Sequence, residues 1–90
     1  MSYHVVFSAQ AKKSIKKLDR HVYTTIIAWI RRNLEGCSNP RIHGKPLTAN
    51  RSGQWRYRVN DYRIIADIQD DKVIILILVL AVAHRREVYD

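Results

Sequence analysis

Acidic residues are scarce in this chain, where eight Asp and Glu stand against sixteen Lys and Arg for a formal net charge of +8. That balance disfavours a cationic partner and favours a polyanion, nucleic acid first and an acidic protein or membrane surface second. Cysteine is nearly absent. Cys37 alone can close no internal disulfide, and its place beside Gly36 in an expected loop fits a reducing, cytoplasmic setting rather than a catalytic thiol. Histidines at 4, 21, 43 and 84 match no zinc spacing, and the carboxylates form no cluster, so neither a metal nor a cofactor is expected. There is no glycine-rich phosphate loop, and Ser8, Ser14, Ser38 and Ser52 lie in no nucleophile-elbow context. The opening Met-Ser-Tyr-His-Val-Val-Phe lacks the regions of a secretory signal, so export is not indicated. The apolar run 73–83 has eleven residues, well below the roughly 18–20 that span a bilayer as a helix, and reads as a buried strand. Ninety residues without repeats or linkers make one small domain, 1–90, with room for one function.

Residues 3–7 are β-branched and aromatic enough for a first strand, and Ser8 can cap a following helix by accepting from a free amide. Over 9–18, Ala11, Ile15 and Leu18 share one face while Lys12, Lys13, Lys16 and Lys17 cover the rest, giving a basic amphipathic helix whose lysines are either a wet face or RNA-backbone contacts. Asp19 can cap a second helix to about Leu34, with an apolar stripe of Val22, Ile26, Ile30 and Leu34 and a left-handed stop at Gly36. Trp29 and Tyr23 fall within that periodicity and read as packing residues. From 36 to 53 the pattern is that of a long loop carrying Arg41, His43, Lys45 and Arg51, pinned by Leu47. A three-stranded meander follows, with turns at Asn60-Asp61 and Asp70-Asp71 and a last strand, 73–82, apolar on both faces and therefore central. These elements predict an α+β fold of order β-α-α-β-β-β: a helical hairpin on one face of a mainly antiparallel four-stranded sheet, its first strand paired with its last.

The hairpin carries the strongest signal. Period-2 alternation puts Trp55, Tyr57 and Val59 on one face and Arg56 and Arg58 on the other. If Val59 pairs with Tyr62, then Tyr62, Ile64, Ala66 and Ile68 continue the apolar face and Arg58 lies directly opposite Arg63. Like charges in that position are destabilising. They are tolerable as a solvated face, or as a clamp for a phosphate whose oxygens guanidinium forks match two at a time.

The closing His84-Arg85-Arg86-Glu87-Val88-Tyr89 brings an imidazole, guanidiniums and a phenol to the end of the sheet. Histidine trades protons near neutrality, arginine holds charge developing on a phosphoryl group, and tyrosine becomes a base if cations lower its pKa. On these grounds His84 is the expected proton donor and Tyr89 the base, with Arg56, Arg58, Arg63 and Arg85 stabilising the phosphate; arginine itself stays protonated and is a poor acid. Without a metal, the phosphodiester most open to cleavage is that of RNA, whose 2′-hydroxyl serves as internal nucleophile.

Lys45-Pro46-Leu47, Trp55-Arg56-Tyr57-Arg58-Val59, Asp61-Tyr62-Arg63-Ile64 and the C-terminal motif, in this order over nearly the whole chain, resemble the RelE family of bacterial type II toxins within the RelE/ParE superfamily. The resemblance implies a ribosome-dependent endonuclease that cuts mRNA in the A site of the small ribosomal subunit by 2′-hydroxyl attack, leaving a 2′,3′-cyclic phosphate. It also implies a cognate antitoxin that wraps the toxin. By position, Arg56 and Arg58 match the family's basic strand residues, Arg63 its phosphate-binding arginine, and Arg85 and Tyr89 its C-terminal arginine and tyrosine; His84 occupies a variable place. Ala83 stands where glycine commonly precedes the basic residue, and Asn60 replaces a frequent turn glycine. Lys45 and Arg51 join the helix lysines as candidate contacts to ribosome or RNA. The rival readings are a ParE-like protein that binds DNA gyrase instead of cutting RNA, and an RNA-binding module without catalysis.

Overall fold

A computed structural model describes residues 2–47, 54–70 and 76–84. Strand β1 (His4–Phe7) leads into helix α1 (Ala9–Lys16), helix α2 (Arg20–Asn33), a 3-10 turn (Pro40–His43), and strands β2 (Lys45–Pro46), β3 (Gln54–Val59), β4 (Tyr62–Gln69) and β5 (Leu76–His84). The sheet order is β1-β5-β4-β3-β2. β1 runs parallel to β5, and the other pairs are antiparallel. The expected α+β architecture and the pairing of first strand with last hold. The sheet has five strands rather than four, because two residues of the segment read as loop, Lys45 and Pro46, pair with Arg56 and Trp55.

The helix boundaries follow from their caps. The Ser8 hydroxyl accepts from the Ala11 amide at 3.0 Å and an Asp19 carboxylate oxygen accepts from the His21 amide at 3.1 Å, each satisfying a donor that the first helical turn leaves unpaired. Gly36 stops the second helix at a φ of 77°, and its amide donates to the Tyr3 carbonyl at 2.8 Å, tying the helix end to the start of β1. The stripe of α2 delivers Ile26, Ile30 and Leu34 to the core, where they meet Ala11, Tyr57, Val59, Ile64, Ala66, Ile68, Ile77, Val79 and Val82. Trp29 packs on Tyr57 with ring centroids 5.7 Å apart. Tyr23, by contrast, is 41% exposed, so its periodicity overstated its packing. Leu47 is half-buried and held by its amide, which donates to the Gln54 carbonyl.

Two details place the functional surface. Gly44 crosses so close to β3 that a Cβ there would lie 2.2 Å from the Arg56 carbonyl oxygen and 2.8 Å from the Tyr57 ring; only glycine lets β2 close on β3 at that point. In β5, Ala81 pairs with Ile65 but Val79 pairs with Ala66, so Leu80 is an extra residue. That bulge changes which face each later side chain joins.

Candidate nucleic-acid interface on the open sheet face

The sequence-derived register holds residue for residue: Val59 pairs with Tyr62, Arg58 with Arg63 and Arg56 with Ile65. Asn60 makes the turn possible with a φ of 54°, a left-handed conformation that Asn adopts more readily than most residues. Tyr57, Val59, Ile64 and Ala66 are buried beneath the helices, which leaves Arg56, Arg58 and Arg63 together on the opposite face. Lys45 extends the set as the partner of Arg56 across the β2-β3 ladder. Arg58 is exposed, whereas Arg56 and Arg63 are half-buried.

Arg63 is in an unusual position. Its Nη1 is buried without a hydrogen-bond partner, although a buried guanidinium nitrogen ordinarily has one. On its other flank Arg63 pairs with Ala83, and Ile65 pairs with Ala81, both small residues. Lys45, Arg56 and Arg58 line a cavity of about 280 Å³ together with Ile42, His43 and Gly44. The surface can therefore take an anion into a shallow depression whose donors are fixed by strand register.

The expected proton donor is placed differently. With one residue inserted at Leu80, Val82 joins the core face and His84 pairs with Tyr62, which itself pairs with Val59. The imidazole meets the Tyr62 ring edge-on, 5.3 Å between centroids and 80° between planes. His84 thus lies on the helix face, across the sheet from the three arginines, and this corrects the expectation that it works beside them. The imidazole that does share a cavity with Arg56 and Arg58 is His43, which the sequence offered only as a loop residue. Arg85 and Tyr89, and likewise Arg51, lie outside the described residues, as does most of the Asp70-Asp71 turn.

Lys12, Lys13, Lys16 and Lys17 are exposed on or just after α1 and take no part in the arginine cluster. Cys37 is half-buried with its pKa pushed up by desolvation, the opposite of what a nucleophilic thiol needs. Farther along the sheet, Arg41 donates from Nη2 to Asp70 Oδ2 at 2.6 Å, and the Tyr3 hydroxyl donates to the other oxygen of the same carboxylate. Arg41 also lies 5.9 Å from the Trp55 ring centroid, in the range for a cation over an aromatic face. This knot joins β1, the 3-10 turn and the end of β4, so it braces the strand that carries Arg56 and Arg58. Among the described residues no group of His, Cys, Asp and Glu gathers as a metal site, and no helix is long and apolar enough to cross a membrane.

A family model described as the ParE toxin of the type II toxin-antitoxin system, parDE, matches residues 5–89. Toxin RelG of Mycobacterium tuberculosis is 28% identical over 89 residues, which cover 99% of this chain and 98% of that protein. The crystal structure of the toxin-antitoxin complex RelBE2 from Mycobacterium tuberculosis contains a chain with a TM-score of 0.81 and 26% identity, over 94% of this chain and 93% of that one. A chain of the intact Escherichia coli RelBE complex has the same fold, with a TM-score of 0.73 at 22% identity over 92% of this chain and 96% of that one.

Proposed function

The chain belongs to the ParE toxin family of type II toxin-antitoxin systems, within the RelE/ParE superfamily, and from that premise we propose that it is a ribosome-dependent endoribonuclease held in check by a cognate antitoxin. The observation that carries this reading is the opposed pair Arg58 and Arg63 beside Arg56 on the open sheet face, with one Arg63 nitrogen buried and unpartnered. Such a set is unfavourable alone and favourable around a phosphate.

In this mechanism Arg56, Arg58 and Arg63 grip the scissile phosphate of a message in the ribosomal A site. The adjacent 2′-hydroxyl attacks phosphorus, the bond to the 5′-oxygen breaks, and the products are a 2′,3′-cyclic phosphate and a free 5′-hydroxyl. The guanidiniums stabilise the extra negative charge on the non-bridging oxygens as phosphorus becomes five-coordinate. Tyr89 takes the 2′-proton, a role open to a phenol whose pKa cations lower. Because His84 faces the helices, we assign the leaving 5′-oxygen's proton to Arg85. Guanidinium is a poor acid at rest, but an alkoxide leaving group is a stronger base than guanidine and draws the proton as the bond breaks. No metal takes part in the scheme.

The position of His84 favours one second reading, a ParE-like protein that binds DNA gyrase, since a binder requires no imidazole beside its cations. Inducing the toxin in growing cells and mapping mRNA 5′ ends separates the two. In-frame cuts within translated codons, lost in Arg63→Ala and kept in His84→Ala, support the nuclease. Intact messages with DNA-damage signalling would replace it with the gyrase reading.

A further inference from the structure

The cations do not stop at the sheet face. Arg58 lines a second cavity, of about 550 Å³, in which it shares the walls with Trp29 and Arg32 of α2 and with Asn60. The two cavities share Arg58 at the edge of β3, because β2 begins only at Lys45 and pairs with Arg56 and Trp55. Trp29 bridges them: it lines the larger one, and its ring meets His43 of the smaller one edge-on at 6.3 Å. Among the described residues, no carboxylate lines either cavity. The result is a trough with cations along its length and an aromatic wall at its middle, the two components with which proteins hold a single nucleic-acid strand.

Arg31, one residue earlier on α2, has the opposite surroundings. It lines a mainly apolar groove on the far side of the helix, facing β1 and α1, and shares that groove with Lys12 and Glu35. Two adjacent arginines of equal charge therefore line different cavities, one with a second arginine and no carboxylate and the other with a carboxylate in its wall.

Resting on the RNA reading above, we propose that the phosphodiester backbone runs from the arginine clamp over the edge of β3 and onto α2, where Arg32 holds a phosphate beyond the one held by Arg58. Arg32 is exposed and reaches the strand without rearrangement of the core. Its role is binding, not cleavage.

The test measures binding of the full chain to a 2′-O-methylated single-stranded RNA of about a dozen nucleotides, within the site sizes such grooves cover, by fluorescence anisotropy over a range of salt. Arg32→Ala is expected to weaken binding about fivefold and to reduce the slope of log Kd against log salt by ~0.7, the increment for one phosphate of a single strand. Arg31→Ala removes the same charge from the same helix and is expected to leave the slope unchanged, while Arg32→Lys restores it. Equal effects of Arg31→Ala and Arg32→Ala would overturn the path. So would an equal loss for Arg32→Ala with a dinucleotide, which is too short to pass the strand edge. Sedimentation with ribosomes lacking message covers the other source of phosphate: if Arg32→Ala weakens only that association, the contact is to ribosomal RNA and the path is refuted. A wild-type chain without salt-dependent RNA binding would sink the RNA reading itself, a result distinct from wild-type binding that ignores Arg32.

Discussion

Replacing Arg63 by methionine removes a charge while keeping most of the apolar stem, and the structure indicates that the folded chain becomes more stable for it. Residues directly opposite on neighbouring strands hold their Cβ atoms ~5 Å apart. Two unit charges ~6 Å apart repel by about 0.7 kcal/mol at the dielectric of water and about 1.4 kcal/mol at half that value. Arg58, as the direct partner of Arg63, supplies this repulsion. The buried, unpartnered Nη1 adds a desolvation penalty at the lower end of the ~1–3 kcal/mol known for such groups. Allowing for imperfect replacement of the stem, Arg63→Met is expected to stabilise by about 1–2 kcal/mol. For a domain of this size that is a rise of about 5–15 °C in Tm. Calorimetry at low ionic strength and again in about 1 M salt, where the screening length falls to ~3 Å, separates the two contributions, since only the repulsion fades. Arg58→Ala relieves the same repulsion, so the double variant should gain about 1 kcal/mol less than the two single gains added together. Additive gains, or a fall in Tm for both single variants, would refute the electrostatic argument and leave the arginines as ordinary surface residues.

Gly44→Ala is expected to destabilise by about 2–3 kcal/mol through overpacking, because the new Cβ would meet the Arg56 carbonyl and the Tyr57 ring; chemical denaturation checks this, and a neutral result would mean that β2 does not close on β3. Tyr57→Phe leaves the Pro40 carbonyl without the hydroxyl that donates to it at 2.8 Å, at an expected cost of about 1–3 kcal/mol, readable as a lower denaturation midpoint. Asp70 has its pKa held down by the Arg41 hydrogen bond and then by that of Tyr3. A carboxylate with a depressed folded pKa contributes stability above its unfolded pKa of ~3.9 and loses it as pH falls through the lower folded value. Acid unfolding below about pH 4 should therefore be shallower in Asp70→Asn, by less than ~1 kcal/mol because the pair is half exposed; identical acid limbs would count against the knot.

The hairpin was legible because three independent signals agreed: alternation, a two-residue turn, and an apolar face that only one register keeps intact. The caps at Ser8 and Asp19 and the stop at Gly36 were legible for a similar reason, since each acts within its own helix turn. The face of His84 was not. From 73 to 83 every residue is apolar, so the pattern has no alternation in which an extra residue could show, and the bulge at Leu80 is set by how β5 fits β4. The 3-10 turn and β2 escaped notice because their reasons lie far along the chain. Arg41 meets Asp70 across 29 positions, and Gly44 is required by a backbone that starts at Gln54. Arg32 carried no signal separating it from Arg31 until the sheet edge beside it was known.

The Leu80 bulge acts as a parity switch for everything downstream on its strand. If Leu80 instead took its own place in the ladder, strict alternation would return and the imidazole of His84 would pass from the tyrosine on one side to the guanidiniums on the other, with no change in the side chains themselves. Conversion between a scaffold that merely grips its target and one with a proton donor at hand would then be a matter of strand register at a single hydrophobic position, and not the assembly of new chemistry.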